Sequence, residues 1–281
     1  SVIPLELQVN LPPPTNPIGT IPICDNDTDT YDLSLVDNMI VNSINGVTIS
    51  YHNTQNDADT NINAIHGLFN YTASSHTLYV RVSDNTTSCF ITSIFVLQIN
   101  QNPVANKAPD LISCDDDFDG FVQFDLSANT NAIVGSQDPS NYTLTYYSSL
   151  TDAETKANPL NYLHPAYNGE IIYVRLENSN TGCYDTSDFA IRVNPLPIIP
   201  INDIVPLCNN DIPLVIDAYT GNTNDTYLWS TGETSKTIST SSAVGTLYHV
   251  GVTNPNGCIT KDTITIVRLG LPDVSVNDTS I

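Results

Sequence analysis

Residues 114–120 read Cys-Asp-Asp-Asp-Phe-Asp-Gly, and residues 24–30 read Cys-Asp-Asn-Asp-Thr-Asp-Thr. Carboxylates packed this densely repel one another, so the chemistry that favours the arrangement is coordination of a hard cation through oxygen. Asp115, Asp117 and Asp119 fall at alternate positions and Gly120 follows, a spacing that turns side-chain oxygens toward one point. Asp25, Asp27 and Asp29 repeat the spacing with Thr30 in place of the glycine. Asp32 and Asp125, each followed by Leu-Ser, stand ready to add a further carboxylate. Calcium is the expected ion. A complete EF-hand is excluded, because the twelfth position is Val36 in one loop and Leu126 in the other instead of glutamate. The corresponding third segment, beginning at Cys208, keeps only Asp211 and Asp217, and no site of this kind is expected there.

The six cysteines set the larger frame. The first cysteine of each acidic or acid-like segment falls at 24, 114 and 208, a spacing of 90 and then 94 residues. A second cysteine follows each time at 89, 183 and 258, ten positions after Tyr79, Tyr173 and Tyr248 in a strand-like text. One pair per repeat predicts three disulfides inside the repeats, Cys24 with Cys89, Cys114 with Cys183 and Cys208 with Cys258. Disulfides place the chain outside the cytoplasm. The chain has no CxxC and no nearby Cys/His pair, so zinc chemistry is not expected.

Between the cysteines, short segments alternate apolar and polar residues and are separated by Asn, Asp, Gly, Ser and Pro, with no long helical period. The expectation is all-β: tandem antiparallel β-sandwich domains, Ig-like or fibronectin-III-like, in an elongated array. The boundaries read 1–13 as the closing strand of a preceding repeat and its linker, 14–101 and 102–195 as two sandwiches, 196–270 as an Ig/PKD-like third, and 271–281 as the start of another. The chain is expected to be a piece of something longer. Residues 56–65 and 151–160 match each other and predict a single helical turn or an ordered loop. The third repeat instead has Trp229 on a strand-C-like segment and Thr231-Gly232-Glu233 as a hairpin turn.

Composition narrows the function. The chain carries 30 Asp+Glu against 8 Lys+Arg, a net charge of −22, so nucleic acid and anionic lipid are poor partners. No apolar run reaches the ~18 residues of a membrane span. No GxSxG, HExxH, GxxxxGK or GxGxxG occurs and the five histidines are scattered, so an enzyme is not expected. Tyr146, Tyr147, Tyr162 and Tyr167 crowd the second repeat. They offer an alternative reading, stacking on the sugar rings of a polysaccharide, against the plainer one in which about half face the core.

The combined text, the acidic loop with Asp-Leu-Ser, then Thr-Asp-Ala-Glu-Thr at 151–155, then Ile-Tyr-Val-Arg-Leu-Glu-Asn and Thr-Gly-Cys, resembles the tandem repeats of very large cell-surface proteins of the Bacteroidota. These include gliding-motility adhesins exported by the type IX secretion system. Residues 229–238 with 252–258 are similar to the Ig-like or PKD-like modules of the same proteins. The resemblance implies a surface-exposed adhesin shaft, cell-anchored or secreted, and no catalytic residues. Its partners would be neighbouring repeats of the same chain and a surface ligand, and the chain alone is expected to be monomeric.

Overall fold

The computed structural model describes residues 9–25, 29–43, 45–72, 74–207, 213–240 and 245–268. Strands dominate. The first repeat runs β1 (Thr20–Cys24), β2 (Thr30–Asp32), α1 (Ser34–Ile40), β3 (Val47–His52), α2 (Gln55–Thr60), β4 (Leu68–Asn70), β5 (His76–Asp84) and β6 (Phe90–Asn100). The second adds β7 (Leu111–Cys114), β8 (Phe121–Asp125), α3 (Thr130–Val134), β9 (Tyr142–Tyr147), α4 (Leu150–Thr155), β10 (Leu163–Tyr167), β11 (Ile171–Asn178) and β12 (Tyr184–Asn194). The third has β13 (Ile204–Leu207), β14 (Leu214–Asp217), β15 (Thr226–Trp229), β16 (Thr237–Thr240), β17 (Leu247–Thr253) and β18 (Ile259–Arg268).

Among the described residues each repeat forms one four-stranded sheet and one two-stranded sheet. The larger sheets order β1-β6-β5-β3, β7-β12-β11-β9 and β13-β18-β17-β15; the smaller pair β2 with β4, β8 with β10 and β14 with β16. By Cα proximity the chain separates into two compact units. One comprises residues up to Lys107 with Thr130–Pro159 and Tyr173–Ser187; the other comprises Ala108–Asn129, Leu160–Ile172 and the residues from Asp188 on.

In the first unit, period-two burial builds the core of the first repeat. β5 buries Leu78, Val80 and Val82, β6 buries Phe95, Leu97 and Ile99, and α1 adds Val36 and Ile40. Each such side chain withdrawn from water is worth roughly 1.5–3 kcal/mol. In the second unit, Trp229 of β15 packs with Ile216, Ile238, Val250, Val252 and Ile264. Its indole Nε1–H donates to the Ser235 carbonyl at 2.8 Å, so the ring is buried without an orphaned donor. Gly232, at φ +94°, turns the chain back so that its N–H reaches the Trp229 carbonyl at 2.9 Å. The turn expected at 231–233 is therefore formed, but it is not a hairpin: β15 pairs with β17 and β16 with β14, so the turn crosses between sheets.

The matching segments of the first two repeats are the six-residue helices α2 and α4. Thr54 and Ser149 cap their N-termini by accepting the N–H of Asp57 and Asp152, each at 3.1 Å, and Asn61 and Lys156 end them in the left-handed conformation.

One strand per repeat departs from the antiparallel expectation. The opening strands β1, β7 and β13 run parallel to the closing strands β6, β12 and β18. The register sets Cys24 opposite Asn100 and Cys114 opposite Asn194, at the last residue of each closing strand.

Candidate functional site: the staples and the acidic loops

That register overturns the expected cysteine pairing. Cys89 and Cys183 immediately precede Phe90 and Tyr184, the first residues of β6 and β12. Cys24 and Cys114 sit at the opposite ends of the same strands. Ten residues of extended chain separate the two ends, about 33 Å at strand rise, whereas a disulfide holds its Cα atoms within about 7 Å. A parallel edge strand thus carries the first cysteine away from the second.

The bonds formed are Cys24–Cys183 and Cys114–Cys258, with Cα separations of 5.4 and 5.6 Å. Each joins the opening strand of one repeat to the strand-turn-strand corner of the next. Cys89 is a free thiol, and Cys208 lies outside the described residues. The three second cysteines occupy the same kind of corner. Their carbonyls accept the N–H of Asp84, Asn178 and Asn254 at 2.9, 2.8 and 3.0 Å. The residue before each, Ser88, Gly182 or Gly257, has positive φ, which costs the serine more than the glycines. The bridges close loops spanning sequence separations of 159 and 144. In the chain-entropy model each closure is worth about 5 kcal/mol, but the loops overlap in sequence and their contributions do not add.

In the acidic loop of the second repeat, Asp115 is nearly buried, at 7 % exposure. Its Oδ1 accepts the N–H groups of Phe118 at 3.0 Å and Asp117 at 3.3 Å, and its Oδ2 accepts that of Gly120 at 3.1 Å. Asp117 accepts from the Asp119 N–H at 3.1 Å and Asp119 from that of Phe121 at 2.8 Å. Phe118 and Gly120 take left-handed φ of +67° and +84° to close the loop. Carboxylate oxygens of Asp115, Asp116 and Asp117 lie within 4.8 Å of one another. Asp116 thus joins the cluster, and Asp119 and Asp125 stand outside it. Asp125 instead holds the N–H and hydroxyl of Ser127, at 3.0 and 2.5 Å. The Asp119 N–H stabilises the Asp117 carboxylate, but lost hydration and the neighbouring charges of Asp119 and Asp116 prevail and hold its pKa above the ordinary range.

The first-repeat loop is less assembled. Asp27 lies outside the described residues. Asp25 accepts from Gln101 Nε2 at 2.9 Å through Oδ2, while its Oδ1 is buried without a hydrogen-bond partner. Asp29 takes φ +49°, and its carbonyl accepts the Tyr71 N–H at 2.9 Å. Asp32 accepts the Ser34 N–H at 3.0 Å, and bonds from the Ser34 side chain and backbone lower its pKa. In the third repeat Asp217 holds the Tyr219 N–H at 2.9 Å, and Asp211 is outside the described residues. Of the four tyrosines weighed for sugar stacking, Tyr146 and Tyr147 are buried, whereas Tyr162 and Tyr167 are exposed.

Sequence reading missed one repeated device. Arg175 is buried, donates through Nη1 to the carbonyls of Ala153 and Glu154 at 3.0 Å each and through Nε to Glu177 at 2.8 Å, and lies over the Tyr184 ring. Arg81 does the same with the carbonyls of Ala58 and Asp59, with Ser83 and over Phe90. The signal was present: with only eight cations in the chain, two stand eight residues before a second cysteine.

No curated protein matches this chain by sequence. Among solved structures, the chain is similar to the I-band fragment I67–I69 of titin at 11 % identity and TM-score 0.39, covering 93 % of this chain and 100 % of that one. It is also similar to extracellular domains 3–5 of Drosophila OTK at 9 % identity and TM-score 0.33, with the same coverage of 93 % and 100 %. The model of the Flavobacterium inter-domain disulphide bond domain matches twice, over residues 20–103 and 110–197. Cys24 and Cys183 fall in different copies, and Cys114 is joined to a cysteine beyond the second. The chain belongs to the Flavobacterium inter-domain disulphide bond domain family, as two tandem copies followed by a third Ig-like repeat.

Proposed function

We propose that this chain is a tension-bearing stalk segment of a large cell-surface adhesin of the Bacteroidota type, serving surface adhesion or gliding motility. The observation that carries the reading is the overlap of the two inter-repeat disulfides. The shortest covalent route from Cys24 to Cys258 crosses to Cys183, returns to Cys114 through 183 − 114 = 69 residues, and crosses again. Once reduced, the route is 258 − 24 = 234 residues. Fully extended, these lengths are about 240 Å and 820 Å at ~3.5 Å per residue. A shaft under load gains from such a limit, because unfolding any repeat releases little chain. A catalytic or ligand-binding module has no comparable need for it. Export by the type IX system and attachment to the outer membrane follow from the family resemblance and are part of the same reading. Pulling single molecules by the two chain ends tests the proposal. The oxidised chain should stop near the shorter limit between Cys24 and Cys258 and reach the longer one in reductant; equal lengths in both would sink it.

Calcium belongs to this proposal as a stiffener. The loop at Asp115, Asp116 and Asp117 has the hard oxygen donors calcium takes. In the loop of the first repeat, the buried, unpartnered Oδ1 of Asp25 is a donor that a separate cation would satisfy.

A polysaccharide-binding role is the second reading. It is favoured by the exposed edge-to-face pair of Phe121 and Tyr167 on β8 and β10, with centroids 6.2 Å apart. Affinity electrophoresis in soluble polysaccharides, with Tyr167→Ala as control, decides it: no retardation of the parent chain would remove it.

A further inference from the structure

Strands β5, β11 and β17 carry equivalent residues just before their corners. Three places back from Asp84, Asn178 and Asn254, whose N–H groups bond the carbonyls of Cys89, Cys183 and Cys258, stand Arg81, Arg175 and Gly251. In the first two repeats this position is covered. α2 packs on β3, β5 and β6, and α4 on β9, with Ala58 and Ala153 fully buried. Each helix gives two carbonyls to the arginine, which lies over Phe90 or Tyr184, the residue after the second cysteine. The third repeat lacks all three parts together: among the described residues it has no helix, glycine replaces the arginine, and Ile259 follows the cysteine in place of an aromatic ring. The face left open is a groove of about 680 Å³ over β15, β17 and β18.

Gly251 lines this groove, paired with Leu228 of β15 on one side and Lys261 of β18 on the other. Nothing in the backbone calls for glycine there. Its φ is not left-handed, and an added Cβ would meet only the Leu228 carbonyl oxygen at 3.9 Å and Lys261 Cγ at 4.0 Å, both ordinary contacts. A glycine inside a strand weakens the sheet, and one use that offsets the cost is close approach of a ligand or another backbone. Leu228, 62 % exposed, makes one side apolar, and the exposed Lys261 makes the other cationic. The residue at the Lys261 position in the first repeat is Thr92, paired with Arg81, and it shows what meets this spot. Its hydroxyl accepts from Gln55 Nε2 at 2.9 Å and donates to the Asp59 carboxylate at 3.3 Å, both side chains of α2. A lysine there matches an acidic side chain better than a threonine does, whereas Asp203 and Asp262, also on the lining, disfavour carboxylates elsewhere in the groove.

We infer that the third repeat binds a short helical turn of another protein chain, seated as α2 and α4 are seated on their own repeats. The bound turn sets a small residue over Gly251, an apolar one beside Leu228 and a carboxylate at Lys261. Two observations carry this independently: the helices that close the same face in both sister repeats, and the charge and shape of the face where no helix closes it. The inference goes beyond the stalk reading and stands or falls without it.

The probe is a synthetic peptide of residues 147–158, the α4 segment, with Thr151→Lys and Thr155→Asp joined as a lactam so that its helix exists before binding. Both positions are exposed in α4. Titrated into the full isotope-labelled chain, the peptide should shift the amide resonances of Leu228, Gly251 and Lys261 saturably. Gly251→Arg, which restores the residue both sister repeats carry, should abolish those shifts. A Glu154→Lys peptide should bind the parent chain about threefold more weakly, the worth of one exposed ion pair, and regain that loss against Lys261→Glu. If Gly251→Arg does not fold, the charge reversal decides alone, and no recovery in it overturns the inference. No saturable shift at millimolar peptide, equal shifts from a scrambled peptide, or an unchanged titration of Gly251→Arg would also overturn it. So would shifts of the same amides by a soluble oligosaccharide and not by the peptide, which would make the groove a sugar site.

Discussion

The Arg175 guanidinium carbon lies 3.3 Å from the centroid of the Tyr184 ring, and the same guanidinium binds the last carbonyls of α4. One side chain thus ties a helix end to the start of β12, the residue next to Cys183. Arg175→Ala takes the guanidinium donor from two carbonyls and from Oε2 of Glu177, whose Oε1 keeps Lys156, and removes the cation from the ring. A loss of about 3 kcal/mol is expected in denaturant unfolding, from charged hydrogen bonds and a desolvated cation–π contact together. Arg175→Lys should recover less than half, because an ammonium cannot span both carbonyls and Glu177 while lying flat on the ring. Full recovery by lysine would show that charge alone is needed.

The acidic loop predicts a calcium response with a defined sign. Asp117 has a raised pKa in the folded chain. Its ionisation therefore opposes folding: the favourable contribution is present below the unfolded pKa and lost as pH rises through the folded one. Asp117→Asn should leave the calcium-free chain at neutral pH as stable as the parent or more so. Millimolar calcium should raise the melting temperature of the parent and not that of Asp117→Asn/Asp119→Asn, by mass action on the folded state. Calorimetry with calcium and with chelator reads both effects, and identical parent melts in the two would leave the loop a hydrogen-bonded turn.

Acid should loosen the helical segments of the first two repeats. Asp57 has its pKa lowered by bonds from Thr54 and then Asn63, and Asp152 by bonds from Ser149 and then Asn158. Groups with depressed pKa contribute stability that is present above the unfolded carboxylate pKa and lost as pH falls through the folded value. Stability should therefore decline below about pH 4, the unperturbed carboxylate range, and Ser149→Ala should cost about 1 kcal/mol at neutral pH as a lost cap. Urea melts across pH 2.5–7 measure both. An Asp57→Asn/Asp152→Asn chain with an unchanged acid slope would remove these carboxylates from the explanation.

Solution scattering addresses the stalk directly. A compact chain of this length would have a radius of gyration near ~19 Å by domain scaling. A stalk should exceed that value clearly, with or without calcium, and a value near ~19 Å would mean that the repeats fold back on one another.

Much of this molecule could be read in its residues. Period-two runs such as Leu78, Val80 and Val82 must become strands, because only alternation puts all three on one buried face. The tyrosine-to-cysteine interval marked the repeats, and the matching segments 56–65 and 151–160 marked a helical turn or an ordered loop in each of the first two; the caps at Thr54 and Ser149 make them short helices. The acidic loop was legible because its hydrogen bonds are local: Asp115 reaches the N–H of Gly120 only five residues on. Yet the cluster gathered Asp116 where spacing had favoured Asp119, because hydrogen bonds to successive N–H groups set where each carboxylate points.

Cysteine pairing was decided in three dimensions. Two cysteines in each repeat invited bonds within it, and nothing local speaks against them. What forbids them is the direction and register of one edge strand. Residues 20–24 align with residues 96–100 of the closing strand, so Cys24 lies a full strand length from Cys89 and beside the next repeat's Cys183. Parallel pairing between segments some seventy-five residues apart has no signature in either segment alone, because the hydrogen-bonding groups belong to the backbone and are the same for every residue. The sequence by itself determined which residues could form staples, and only the tertiary ladder determined that they join one repeat to the next.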